Sequence, residues 1–126
     1  GSCVAAIHAG WRGLAAGVIE ETVKCLPVPA AVLVAVIGPC IGKDNYEVGP
    51  EVIECLANVG VLPVKAAVQG QRLDLTAVVA ESLLRSGLSG WFEKLAFCTY
   101  SMPDAWHSHR RDNPAGRFTL TTSIRS

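Results

Sequence analysis

An α+β fold, a mixed β-sheet with helices packed on it in one domain, is what this sequence predicts, and three observations predict it. Short β-branched runs alternate with amphipathic stretches at helical spacing, and glycine or proline marks each change of period. The chain of 126 residues, 50% of them hydrophobic, is long enough for one core and short for two ordinary domains.

Taken in order, residues 3–8, CVAAIH, form an apolar run ending at glycine and read as a buried strand. From Leu14 to Leu26 the apolar positions Leu14, Val18, Ile19, Val23 and Leu26 recur at helical spacing until Pro27 and Pro29 stop them. AVLVAVIG at 31–38 is β-branched and uninterrupted, the pattern of a strand covered on both faces. A glycine-rich loop follows, with a brief strand at Tyr46 to Val48, and Pro50 opens a helix in whose first turn a proline is tolerated. A second amphipathic helix runs from Leu73 to Ser86, with Asp74 or Thr76 near its start and Gly87 at its end. KLAFCTY at 94–100 and RFTLTTSI at 117–124 read as further strands, and Trp91 as structural.

Eleven Lys and Arg balance eleven Asp and Glu, so the overall charge gives no reason to expect a nucleic acid or an acidic membrane as partner. The longest apolar run is far shorter than the ~20 residues of a membrane helix, and the expected location is the cytoplasm. Five cysteines at irregular spacing make a poor disulfide framework, so reduced thiols are expected. Cys25 and Cys55 fall on the apolar stripes of predicted helices.

Reactive side chains concentrate in loops that each follow a predicted strand: His8 to Gly13, Gly38 to Asn45, and Cys98 to Arg117. Loops at one sheet edge converge on one crevice, so these are expected to line a common site. All three histidines, His8, His107 and His109, lie in these loops. With a thiolate, two neutral imidazoles suit zinc or copper, and an open coordination position would make the metal catalytic. Arg110, Arg111 and Arg117 surround Asp112, which is either an anion seat built of guanidinium forks or a solvated ion-paired turn. Arg12, beside a helix N-terminus at Gly13, offers a second anion seat. Trp11 and Trp106 are core residues or stacking platforms, and Cys98 is a nucleophile or a buried thiol.

The segments VAAIHAGWRGLAAGVIEETV, IGPCIGKDNYEVGPEV and CTYSMPDAWHSHRRDNPAGR resemble, in order and separation, the signature blocks of the bacterial laccase-domain proteins. That family is also described as multicopper polyphenol oxidases and as purine nucleoside phosphorylases, and a role in peptidoglycan editing is attached to some members. The resemblance covers essentially the whole chain but begins partway into the family's domain. It implies the C-terminal part of that fold, with an N-terminal segment or a second copy as partner.

The resemblance further implies zinc-dependent phosphorolysis of adenosine or inosine to free base and ribose 1-phosphate, with adenosine deamination also ascribed to the family. Copper-dependent phenol oxidation and an inactive, structural relative are the alternatives. His8 matches the metal-binding histidine of HAGWRG. Asp44 and Asn45 stand where the family's metal-binding cysteine usually lies, so Asp44 or Cys40 would complete the zinc or copper site. His8, Arg12, Cys98 and His109 are then the expected catalytic residues, and Arg110 and Arg111 the expected phosphate ligands, Arg111 foremost.

Overall fold

A computed structural model describes residues 2–61, 68–89, 92–95 and 97–124 of the chain. The α+β class is borne out. Helices α1 (Trp11–Ala15), α2 (Val18–Cys25), α3 (Pro50–Asn58) and α4 (Leu75–Arg85) accompany four short strands, β1 (Ala35–Ile37), β2 (Val68–Gln69), β3 (Arg72–Leu73) and β4 (Phe92–Lys94).

The helix expected from Leu14 to Leu26 is two helices. The apolar period runs on through Gly17, but Gly17 adopts φ 77°, a left-handed conformation that ends α1 and starts α2. Leu14 and Ile19 nevertheless both face the core, which explains why the spacing looked continuous. The α3 and α4 expectations hold to within two residues. Pro50 occupies the first turn of α3. Asp74 caps α4, its Oδ1 accepting the Ala77 N–H at 3.1 Å and the Thr76 hydroxyl at 2.6 Å. Gly87, at φ 87°, lies just beyond its C-terminus.

The strands are shorter than the sequence suggests. A strand needs a partner, and residues 3–8 and 117–124 pair with no described residue, so neither is a strand here. The run at 31–38 begins as a 3-10 turn over Ala30–Val32, turns extended at Leu33 and joins a ladder only at β1. Nor is it covered on both faces: Val32, Val34 and Val36 are 68%, 66% and 59% exposed, while Ala35 and Ile37 turn inward. β1 runs parallel to β4, with Ala35, Val36 and Ile37 opposite Phe92, Glu93 and Lys94. The pairing resumes as a bridge between Cys40 and Cys98, so KLAFCTY joins a ladder at Lys94 and Cys98 among the described residues and ends in a turn. Trp91 lies outside them.

A β2–β3 hairpin that the sequence reading missed turns at Gly70, φ 65°. Residues 46–48 lie against it as a single bridge, with the Val48 N–H donating to Gln71 O at 2.8 Å and the Leu73 N–H to Tyr46 O at 2.9 Å.

The core gathers Leu14, Ile19, Leu56, Leu73 and Val78, each no more than 2% exposed, from all four helices and β3. Ser82 is also fully buried on α4, and its Oγ has no hydrogen-bond partner among the described residues. An unpaired buried hydroxyl destabilises, so Ser82→Ala is expected to raise stability by up to ~1 kcal/mol, read as a higher urea midpoint at unchanged slope. A lower midpoint would mean that the hydroxyl has a partner.

Candidate functional site

The first turn is anchored from below and open above. Leu14 is fully buried and its N–H donates to Gly10 O at 3.0 Å, which fixes the entry to α1. Trp11 packs partly against the core, so it anchors the turn, and the Arg12 guanidinium lies over its ring at 4.4 Å. Arg12 and His8 are both exposed. The His8 Nε2 sits 3.4 Å from where a Cβ at Gly10 would be, so the ring lies close beside the glycine. α1 has only 5 residues, too few to supply the helix-terminal anion seat expected beside Arg12.

The second turn leaves β1 through Cys40 and closes as a 3-10 turn over Lys43–Asn45. Asp44 is exposed, whereas its neighbour Asn45 turns inward, its Nδ2 donating to Cys98 Sγ at 3.5 Å. The Gly42 N–H donates to the same sulfur at 3.1 Å, and a Cβ at Gly42 would stand 3.2 Å from it. Burial would raise the Cys98 pKa, but the Ser101 hydroxyl and the N–H groups of Gly42, Ser101 and Tyr100 favour the thiolate and bring it down to about 7. Burial pushes the Cys40 thiol up, opposed by nearby Lys94.

In the third turn Arg111 has a role other than the phosphate binding expected of it. Its Nη1 donates to Thr99 O at 2.6 Å and Tyr100 O at 2.8 Å, and its Nη2 to Trp106 O at 2.7 Å. Nε and Nη2 also grip the Asp112 carboxylate at 2.8 and 2.9 Å. Those bonds engage every nitrogen of the guanidinium within the loop, so Arg111 ties the loop together instead of facing an anion. The Arg111 fork, with the Ser108 N–H, holds the Asp112 carboxyl below the usual range.

Arg110 points the other way, over the Tyr46 ring at 5.2 Å, and donates to Glu47 O at 2.7 Å. His109 is exposed, and the His107 ring fills the space that a Cβ at Gly116 would need. Trp106 packs between Phe97 and Phe118, with ring centroids 6.3 and 5.2 Å away.

These contacts join the second turn to the third, and the charge of Arg12 in the first turn reaches Tyr46. Burial raises the Tyr46 hydroxyl's pKa, and the charges of Arg110 and Arg12, from the third and first turns, both oppose that shift. Cys98 of the third turn is held by Gly42 and Asn45 of the second. Tyr46, Gly42 and Ser101 are not candidate site residues by sequence, although each lies within three residues of one that is.

The metal expectation fares differently. Among the described residues no three His, Cys, Asp or Glu side chains stand close enough to hold an ion, so His8, Cys40 and Asp44 do not form the zinc or copper site expected of them. The physical reason is local: Asp44 turns to solvent on its 3-10 turn, and Cys40 is paired with Cys98 across an isolated bridge.

A family profile described as multi-copper polyphenol oxidoreductase laccase matches residues 1–125. The chain belongs to that family. It is 39% identical over 120 residues to the Escherichia coli K12 protein named purine nucleoside phosphorylase YfiH, covering 93% of this chain and 49% of that one. A Haemophilus influenzae protein named purine nucleoside phosphorylase is 36% identical over 124 residues, covering 93% and 50%. Among solved structures, Neisseria meningitidis protein NMB0706 superposes with a TM-score of 0.74 at 33% identity, covering 83% of this chain and 45% of that one. YlmD from Geobacillus stearothermophilus gives 0.75 at 28%, covering 84% and 43%. The laccase-family chain thus spans about half the length of the curated relatives it matches. Among its described residues, no helix is long and apolar enough to cross a membrane.

Proposed function

We propose that this chain contributes to a site for phosphorolysis of purine nucleosides, in which phosphate attacks the ribose anomeric carbon, the glycosidic bond breaks and ribose 1-phosphate and free base leave. The names of its relatives support the reaction class. The observation that carries the reading to particular residues is the exposed Arg110 guanidinium over the Tyr46 ring at 5.2 Å, together with Arg12, exposed over the Trp11 ring of the first turn. Paired guanidinium forks suit the oxygens of a phosphate dianion. They would hold it while its charge moves onto the new C–O bond.

His8 is exposed in the same turn as Arg12 and is the group we assign to deliver a proton to the departing base. His109 is the exposed imidazole next to Arg110 in the third turn. Tyr46 serves as the positioning group beneath Arg110.

The test is inosine with and without inorganic phosphate, following hypoxanthine release. Turnover is expected only with phosphate present. Arg12→Ala is expected to raise the KM for phosphate about tenfold while moving that for inosine little, the scale of one lost charge-assisted hydrogen bond. Equal shifts in both KM values would remove Arg12 from phosphate binding. Ammonia release from adenosine without phosphate would assign deamination in place of phosphorolysis, and oxygen uptake with phenols would assign the oxidase chemistry that the family's description names.

A further inference from the structure

We propose that Cys40 and Cys98 are a redox-active thiol pair: Cys98 reacts first with a peroxide, and Cys40 resolves the product into a disulfide that joins the second turn to the third. The proposal stands independently of the nucleoside reading.

Its basis is register. The Cys40 N–H donates to Phe97 O at 3.4 Å and the Thr99 N–H to Cys40 O at 2.9 Å, which makes residues 40 and 98 direct neighbours across a parallel bridge. Neighbouring strands lie about 4.8 Å apart, and disulfides span Cα separations of about 4.4–6.8 Å. Directly paired residues also send their side chains to the same face of a sheet. The Cys98 sulfur leans toward the Cys40 strand, since it accepts the N–H of Gly42 two residues farther along. Both cysteines are half-buried, within reach of a small oxidant.

The two thiols are not equivalent, and their surroundings set the order of reaction. Cys98 receives hydrogen bonds from Gly42, Asn45 and Ser101, donors that favour a thiolate. Cys40 lies where burial favours the neutral thiol. The Cys98 thiolate attacks one peroxide oxygen, the O–O bond breaks, and the other oxygen leaves as alkoxide or hydroxide; sulfur is oxidised to the sulfenic acid and the peroxide is reduced. Cys40 then loses its proton to solvent and attacks the Cys98 sulfur. Hydroxide departs and is protonated to water as the S–S bond forms. A low-molecular-weight thiol reverses the step by exchange. In the disulfide state the Cys98 sulfur can no longer take the Gly42 and Asn45 hydrogen bonds as a thiolate, so oxidation would loosen the turn that carries Tyr46.

The test treats the reduced protein with hydrogen peroxide and maps the peptides without reductant. A Cys40–Cys98 linked peptide is expected, removed by dithiothreitol, with Cys25 still free although it is exposed. Cys40→Ala should leave Cys98 as a sulfenic acid trapped by dimedone, and Cys98→Ala should leave Cys40 reduced. Iodoacetamide should modify Cys98 with a rate that rises through pH about 7. Preferential oxidation of Cys25 would overturn the proposal, as would oxidation of Cys98 to the sulfinic acid in the unmutated protein while Cys40 stays a free thiol. Both outcomes are read directly on the unmutated chain, so they do not depend on a variant folding.

Discussion

Arg111→Lys is expected to lower the unfolding free energy by about 2–4 kcal/mol, the range for leaving several part-buried hydrogen-bond acceptors unmet. The guanidinium serves the carbonyls of Thr99, Tyr100 and Trp106 and both oxygens of Asp112 from one rigid plane. An ammonium keeps the charge but is compact, with three donors that cannot span that arc. The replacement therefore separates charge from geometry. Chemical denaturation gives the answer: a midpoint within error of the parent protein would show that the loop does not depend on the fork. Any loss of activity in the variant should follow the loss of folded protein, because Arg111 faces its own loop and not a bound anion.

His8→Ala is expected to behave in the opposite way, reducing turnover of inosine at least ~100-fold, the scale for a positioned proton donor, with little change in unfolding midpoint. The side chain is exposed and makes no hydrogen bond among the described residues, so stability has little to lose. A variant with full turnover would take His8 out of the chemistry. One that failed to fold would show that the ring packs more than its exposure suggests.

The sequence makes plain those parts of the fold that local chemistry decides. Asp74, Gly87 and Pro50 mark helix ends through groups within a turn of themselves, and α3 and α4 lie where those residues put them. The break at Gly17 escapes a periodicity argument because Leu14 and Ile19 face the core on either side of it. Strands are harder, since pairing depends on distant residues: 3–8 and 117–124 have strand composition but no described partner.

The site divides along the same line. His8, Arg12 and Arg110 stand out as charged or titratable groups in glycine-rich turns, and the structure leaves them exposed. Arg111 could not be told from Arg110 by type or position. What separates them is a set of carbonyls 5, 11 and 12 residues earlier in the chain, which only the folded loop brings round. The low pKa of Cys98 likewise comes partly from the Gly42 N–H, more than fifty positions away.

Gly42 carries a wider implication. A methyl there would press on Cys98, with the sulfur 3.2 Å and the Cys98 Cβ 3.3 Å from where it would go. One of those atoms is fixed directly to the opposing main chain, so the crowding cannot be relieved by rotating the thiol alone. Mutational drift at residue 42 is thereby coupled to acidity at residue 98, and the reactivity of a cysteine can be inherited or lost through a position that has no functional group of its own.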